Sequence, residues 1–87
     1  MNTTAMASIL VIEDDPAQLR LYSKALRGYR LTCVVNGTAA LSSARESAPD
    51  LIILDHVLAD GERGTEFLPR LKAVAAHVPI KIGKAHV

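Results

Sequence analysis

The segment LIILDHVLADG, residues 51–61, joins four large apolar residues to an aspartate and then to a polar stretch that contains glycine. Four apolar residues in a row are too few for a helix and are typical of a strand buried on both faces of a parallel sheet. A second segment, ILVIEDDP at residues 9–16, has the same form. The two segments predict two buried strands that each end in carboxylates.

The rest of the chain alternates between strand-like and helix-like patterns. Strands are predicted at residues 9–12, 30–35, 51–54 and 79–82, and Asn36 and Gly37 break the second of them. Helical spacing of apolar residues predicts a first helix from Pro16 to before Gly28 and a short second one around residues 40–44. The third helix is predicted to run to Val74 from Thr65 as its N-cap, with a distortion at Pro69. This order predicts an α/β fold with a parallel sheet and right-handed crossovers.

The composition limits the class of protein. With 87 residues, 49% hydrophobic and 22% charged, the chain has room for one globular domain, which we expect at residues 8–87 after a flexible leader at 1–7. The net charge of +1 gives no argument for a nucleic-acid partner, and no apolar run is long enough to cross a membrane. Without a secretion signal, the expected compartment is the cytoplasm. Cys33 stands alone in an apolar segment, so we expect a buried, inert thiol.

The acidic residues lie where a parallel sheet gathers its ligands. Such sheets bind ligands at the carboxyl ends of their strands. Glu13, Asp14 and Asp15 follow the first strand and Asp55 ends the third. If these strands are neighbours, as in the flavodoxin-like order, three or four of these carboxylates converge there. Carboxylates held together repel one another unless a cation neutralises them or they share protons. An all-oxygen ligand set favours Mg²⁺, which could hold a phosphoryl group in line for attack by the Asp55 carboxylate.

The pairing of ILVIEDDP with APDLIILD, followed by L-x-D-G-x-x-G at residues 58–64, resembles the receiver domain of two-component response regulators. The resemblance implies a flavodoxin-like sheet in the strand order 2-1-3-4. It implies that Asp55 is the phosphoacceptor, that Glu13, Asp14 and Asp55 hold Mg²⁺, and that the backbone carbonyl of Val57 is a further ligand. The partner would be a sensor histidine kinase or a phosphotransfer protein. The domain would not be an enzyme beyond slow aspartyl self-phosphorylation and dephosphorylation.

The sequence departs from the family at its end. Family members have a fifth strand, which ends in a lysine that binds the phosphoryl group, and two more helices, and this sequence stops before them. We therefore expect a C-terminally shortened receiver of four strands. The hydroxyl residue that ends the fourth strand in the family would fall at Lys84. We expect Lys84 to replace the absent lysine in part.

The fourth strand alternates as Ile80-Lys81-Ile82, although a parallel strand covered on both faces should be apolar throughout. One of its faces is therefore expected to meet water or a partner, and its edge is predicted to form a homodimer. Three interpretations stay open: a phosphoacceptor domain, an unphosphorylated interaction or dimerisation module, and a fragment of a longer receiver.

Overall fold

A computed structural model of the chain describes residues 6–55 and 64–83, and at 55, 64, 65 and 83 it describes the backbone alone. Strands and helices alternate along the chain. The strands are β1 (Ser8–Ile12), β2 (Arg30–Val34), β3 (Leu51–Asp55) and β4 (Ile80–Gly83). The helices are α1 (Pro16–Ala25), α2 (Gly37–Glu46) and α3 (Gly64–Val74). The predicted element order is confirmed, and each strand boundary lies within one residue of its predicted position.

The four strands form one parallel sheet in the order β2-β1-β3-β4. The predicted flavodoxin-like arrangement is therefore confirmed. β1 lies between β2 and β3, and Ile12 pairs with Val34 on one side and with Leu54 on the other. The register brings the carboxyl ends of β1 and β3 to the same level of the sheet.

Two helices cover one face of the sheet. The core on this face consists of alternate residues of β1 and β3 together with apolar side chains of α2, of α3 and of the residue after α3. Its buried members are Leu10, Ile12, Ala40, Leu41, Ala44, Ile52, Leu54, Phe67, Leu71 and Ala75. The helical spacing that predicted α2 and α3 is thus the spacing of their buried faces.

The other face has a smaller core. Ile9, Val11 and Ile53 are buried there against half-buried side chains of α1 and its C-cap, which are Leu19, Tyr22 and Leu26. No residue of α1 itself is fully buried. Within the described part of the chain, α1 is the helix on this face.

The starts of α1 and α2 are capped by side chains, and the start of α3 differs from its prediction. Asp15 caps α1 and Asn36 caps α2, each through its side-chain oxygen. Thr65 was predicted as the N-cap of α3, but the helix already begins at Gly64 and includes Thr65, so that prediction is wrong. Pro69 lies inside α3, where it has no N–H to donate to the carbonyl four residues earlier.

Cys33 lies on β2 and is exposed, so the expectation of a buried thiol is wrong. Its strand β2 pairs, among the described residues, with β1 alone, and the apolar cluster beneath α1 includes Leu31 of β2 but does not extend to Cys33. Partial desolvation still raises the pKa of the Cys33 thiol above its ordinary value of 9.0.

β4 is only partly covered, as its alternating sequence predicted. In residues 6–55 and 64–83, β4 pairs with β3 alone, and its Lys81 and Ile82 are both exposed. Ile82 leaves 43% of its surface accessible. None of the helices in these ranges has the length and apolarity to cross a membrane.

Candidate functional site

The candidate site lies at the carboxyl end of β1. The strand ends at the fully buried Ile12, and the next residue, Glu13, is still tied to the sheet because its N–H donates to the carbonyl of Val34 at 2.9 Å. Glu13 has only 3% of its surface exposed, although it carries a carboxyl group. Charged residues are rarely buried without polar partners. The backbone of β2 therefore helps to place an acidic side chain inside the fold.

The three consecutive acidic residues after β1 have different surroundings. The Oε2 atom of Glu13 accepts a hydrogen bond from the Asp15 N–H at 3.1 Å. Asp15 is exposed, and its Oδ1 accepts from the Ala17 N–H at 3.1 Å, which is the capping bond of α1. Asp14 lies between them and is half-buried. The predicted start of the first helix at Pro16 is confirmed.

Asp55 is the last residue of β3 and directly follows Leu54, the partner of Ile12. Glu13 and Asp55 therefore each directly follow one member of the pair Ile12 and Leu54. Neighbouring strands in a sheet lie about 4.8 Å apart. On its other side the backbone of Asp55 pairs with Gly83 of β4. The first and third strands are thus neighbours, as predicted. This arrangement places Asp55 at the end of the sheet that carries Glu13 and Asp14.

The predicted magnesium ligands are only partly among the described residues. Glu13 and Asp14 are described with their side chains, whereas the Asp55 side chain and the residues Val57 and Lys84 lie outside the described part. Within that part, no three carboxyl, imidazole or thiol groups come close enough to hold a metal ion. The carboxylate oxygens of Glu13 and Asp14 are hard donors of the kind that Mg²⁺ prefers.

Sequence reasoning missed one contact beside the site. Asn36 and Gly37 were interpreted as the break after β2, but Gly37 is a buried first residue of α2 that packs against the ring of Phe67 from α3. The contact joins residues 30 positions apart, so no local pattern predicts it.

A family comparison agrees with this geometry. The sequence model of the response regulator receiver domain matches residues 9–86. The chain belongs to the response regulator receiver domain family. The receiver domain is similar to the probable transcriptional regulatory protein TcrX of Mycobacterium tuberculosis, with 32% identity over 84% of this chain and 32% of TcrX. It is 35% identical to the DNA-binding response regulator MtrA of Mycolicibacterium smegmatis, over 88% of this chain and 34% of MtrA. The receiver domain thus spans about a third of the length of these relatives.

Solved receiver structures have the same fold. The receiver domain of the sensor histidine kinase PA1611 from Pseudomonas aeruginosa superposes with a TM-score of 0.84 and 31% identity, over 94% of this chain and 70% of that one. That structure has a magnesium ion coordinated in its active site cleft. The Vibrio cholerae chemotaxis protein CheY4 gives a TM-score of 0.81 at 27% identity, over 90% of this chain and 68% of that one.

Proposed function

We propose that this receiver domain accepts a phosphoryl group on Asp55 from a sensor histidine kinase or a phosphotransfer protein in the cytoplasm. The observation that carries the proposal is the sheet register. Because Ile12 pairs with Leu54, the acidic residues after β1 and the aspartate that ends β3 are placed at one end of the sheet. Membership of the receiver family supports the same role.

We further propose that Glu13, Asp14, Asp55 and the backbone carbonyl of Val57 hold Mg²⁺. The donor set contains only oxygen, and the buried Glu13 and half-buried Asp14 bring negative charge to the end of β3. The magnesium ion in the PA1611 receiver supports this assignment. When bound, Mg²⁺ would neutralise the oxygens of the incoming phosphoryl group.

The proposed reaction uses Asp55 as a nucleophile. A carboxylate oxygen of Asp55 forms a bond to phosphorus while the bond from phosphorus to the histidine nitrogen of the donor breaks. The nitrogen keeps the electron pair, and the product is an aspartyl phosphate. Lys84 supplies positive charge to the phosphoryl oxygens in part, as a flexible lysine stem allows. The domain is a phosphoacceptor rather than an enzyme, with at most slow self-phosphorylation and dephosphorylation.

Intact-mass spectrometry after incubation with Mg²⁺ and phosphoramidate, a small P–N phosphodonor, tests this function. The parent chain should gain one phosphoryl group, slowly, and Asp55→Asn should gain none. Lys84→Met should be labelled more slowly, because the loss of one charge-stabilising group typically costs about 10²-fold or more in rate. Asp50→Asn is the matched control, since Asp50 accepts the Ser8 N–H at the opposite end of the strands. A label that survives in Asp55→Asn would refute the site, and an unchanged rate in Lys84→Met would refute only the part given to Lys84.

A second candidate function is self-association, alone or with phosphorylation. Ile82 is 43% exposed on β4, and within the described ranges the far edge of this strand has no paired strand. Such an edge carries backbone donors and acceptors that a second copy can pair with, and a two-fold axis lets one patch meet its own copy. We propose a homodimer through the β4 edge, although Lys81 opposes close approach by charge repulsion.

Light scattering across a concentration series tests the dimer. We expect the mean mass to rise toward that of two chains, and Ile80→Lys or Ile82→Lys should return it to that of one. Leu21→Lys is the matched control because Leu21 is an exposed apolar residue of α1, away from β4. A single-chain mass at every concentration would refute the dimer. A dimer that persists in both β4 variants would place the interface elsewhere.

The third interpretation, a fragment of a longer receiver, also stays a proposal. TcrX and MtrA are about three times the length of the matched region, and their names describe transcriptional regulation and DNA binding by those proteins. For residues 9–86 themselves we propose phosphoryl transfer and no nucleic-acid contact.

A further inference from the structure

A small cleft opens at the amino ends of β1 and β2, beside the last turn of α2. Its volume of about 70 Å³ gives room for a few water molecules or one small ion. The polar residues that line it are Ser8, Arg30, Thr32, Ser43 and Ser47. Glu13 lies five positions beyond Ser8, or about 16 Å along a strand, so the cleft is separate from the acidic site.

The lining is polar at a place where a helix covers a sheet. Further along the same face, Val34 of β2 packs against the apolar core beneath α2 and α3. Arg30 and Thr32 share this face with Val34, because alternate residues of a strand point to the same side. Across the cleft, Ser43 and the C-cap Ser47 lie four positions apart and so occupy one side of α2. Since the cavity is polar, it holds water or a polar ligand rather than staying empty.

The charge of the lining favours an anion. Among the described residues that line the cleft, Arg30 alone is charged. It is exposed, and no carboxylate in the described ranges pairs with its guanidinium group. A guanidinium group presents its N–H donors as a planar fork that fits two oxygens of a phosphate group, and hydroxyl groups add single donors. Positive charge and converging donors are the chemistry that recognises an oxyanion.

Two neighbouring features limit the affinity for an anion. Asp50 adjoins the cleft, because its Oδ2 accepts from the N–H of Ser8 at 2.7 Å and from the Oγ of Ser8 at 3.4 Å. The carboxyl end of α2, at its cap Ser47, carries the negative end of the helix dipole. Both features repel an anion, so we expect weak and reversible binding.

We propose that this cleft binds a small tetrahedral oxyanion, either free phosphate or the phosphate group of a monoester. The guanidinium group of Arg30 binds two oxygens of the anion, and the hydroxyl groups of Thr32 and Ser43 donate to the others. The site is independent of the proposed phosphorylation of Asp55, which lies at the opposite end of the sheet.

A titration with sodium phosphate in the presence of EDTA, followed by amide NMR spectra, tests the site. EDTA removes Mg²⁺, so the carboxylates after β1 repel the anion and do not bind it. We expect the amide signals of Ser8, Arg30 and Thr32 to shift and to saturate, and those of Glu13 and Asp14 to stay in place. Sodium chloride at equal ionic strength controls for charge screening. Equal shifts with chloride, or none with phosphate, would overturn the proposal.

Variants of the lining test which groups bind the anion. Arg30→Gln should weaken phosphate binding about tenfold or more, the loss expected when a charged hydrogen-bond partner is removed. Arg27→Gln is the matched control, because Arg27 is exposed, lies outside the cleft lining and carries the same charge. Equal weakening in both variants would mean attraction by net charge alone and would overturn the site.

A second variant keeps the test decisive if Arg30→Gln does not fold. Thr32→Val removes one hydroxyl group at nearly constant shape and should weaken binding about twofold to tenfold. Unchanged affinity in folded Thr32→Val would then overturn the proposal. A parallel titration with O-phosphoserine distinguishes the two sources of phosphate. Tighter binding of O-phosphoserine supports a monoester as the ligand, and tighter binding of phosphate supports the free ion.

Discussion

At the scale of single residues, the three consecutive acidic residues after β1 differ in their burial and in their hydrogen bonds. Glu13 is buried and accepts the Asp15 N–H, and Asp15 caps α1 through the Ala17 N–H. Asp14 is half-buried between them. Since the Asp15 carboxylate caps α1 and Glu13 is buried, we expect Asp14 to be the member of this set that contacts a cation directly.

We expect Asp14→Asn to remove most of the stabilisation by Mg²⁺. Binding to the folded state alone stabilises it by mass action, by about 1.4 kcal/mol at ten times the Kd, which corresponds to several degrees in Tm for a domain of this size. Thermal midpoints with and without Mg²⁺ measure this, with Asp50→Asn as the equal-charge control at the opposite end of the strands. Equal Mg²⁺-induced shifts in Asp14→Asn and the parent would contradict the assignment.

Cys33 should be open to alkylation but slow to react at neutral pH. It is exposed, yet partial desolvation raises the pKa of its thiol above 9.0. Because the thiolate is the nucleophile, the alkylation rate should rise about tenfold per pH unit below that pKa and show no plateau by pH 9. Iodoacetamide labelling followed by mass spectrometry gives the profile, and Cys33→Ser should remain unlabelled. A plateau near pH 7 would mean a lowered pKa.

The sequence allowed part of this residue-level detail to be predicted. Glu13, Asp14 and Asp55 could be singled out because an acidic residue after an apolar run is a local signal. The exposure of Cys33 could not be predicted, because its neighbours in sequence are apolar. Its strand, β2, lies at an edge of the described sheet. The contact between Gly37 and Phe67 depends on tertiary packing of two helices and has no local signal.

At the scale of elements, the apolar runs predicted the strands to within one residue because both faces of β1 and β3 are buried. The start of α3 was less predictable. Thr65 has the chemistry of an N-cap, but the helix begins one residue earlier, at Gly64. Helix ends are harder to predict than helix interiors, because the propensity of a single residue is a weak guide to where the first turn begins.

The cap of α2 provides a prediction at this scale. The Oδ1 of Asn36 accepts the Ala39 N–H at 2.8 Å, so Asn36→Ala leaves that donor without its side-chain partner. We expect a loss of about 1 kcal/mol in the free energy of unfolding, measured by urea denaturation. Asn36→Asp should lose much less, because aspartate is an equally good cap. A full loss in Asn36→Asp would show that the carboxamide has another role.

At the scale of the whole molecule, stability is limited by size. A domain of 87 residues is expected to have an unfolding free energy of about 4–13 kcal/mol. The larger core lies between the sheet and the pair α2 and α3, and the smaller one lies beneath α1. A substitution that disrupts the packing of the larger core should therefore remove a large share of the unfolding free energy.

Leu71→Ala should destabilise the domain by about 2–5 kcal/mol, since Leu71 is fully buried in the larger core and its truncation leaves a cavity. Leu21→Ala is the matched control: the same change at a residue with 59% of its surface exposed should cost at most about 0.5 kcal/mol. Chemical denaturation of both variants gives the comparison. Similar losses would mean that Leu21 is covered in solution, for example by a second copy.

The two faces of the sheet are covered unequally, and this difference affects which part of the domain unfolds locally. α1 has no fully buried residue, whereas α2 has four and lies over the larger core. Native-state hydrogen exchange should therefore report a sub-global unfolding unit that contains α1, whose amides exchange through openings of lower free energy than those of α2, β1 and β3. The acidic residues after β1 belong to the connection that leads into this unit, so exchange at the ends of α1 should slow when a ligand occupies the site.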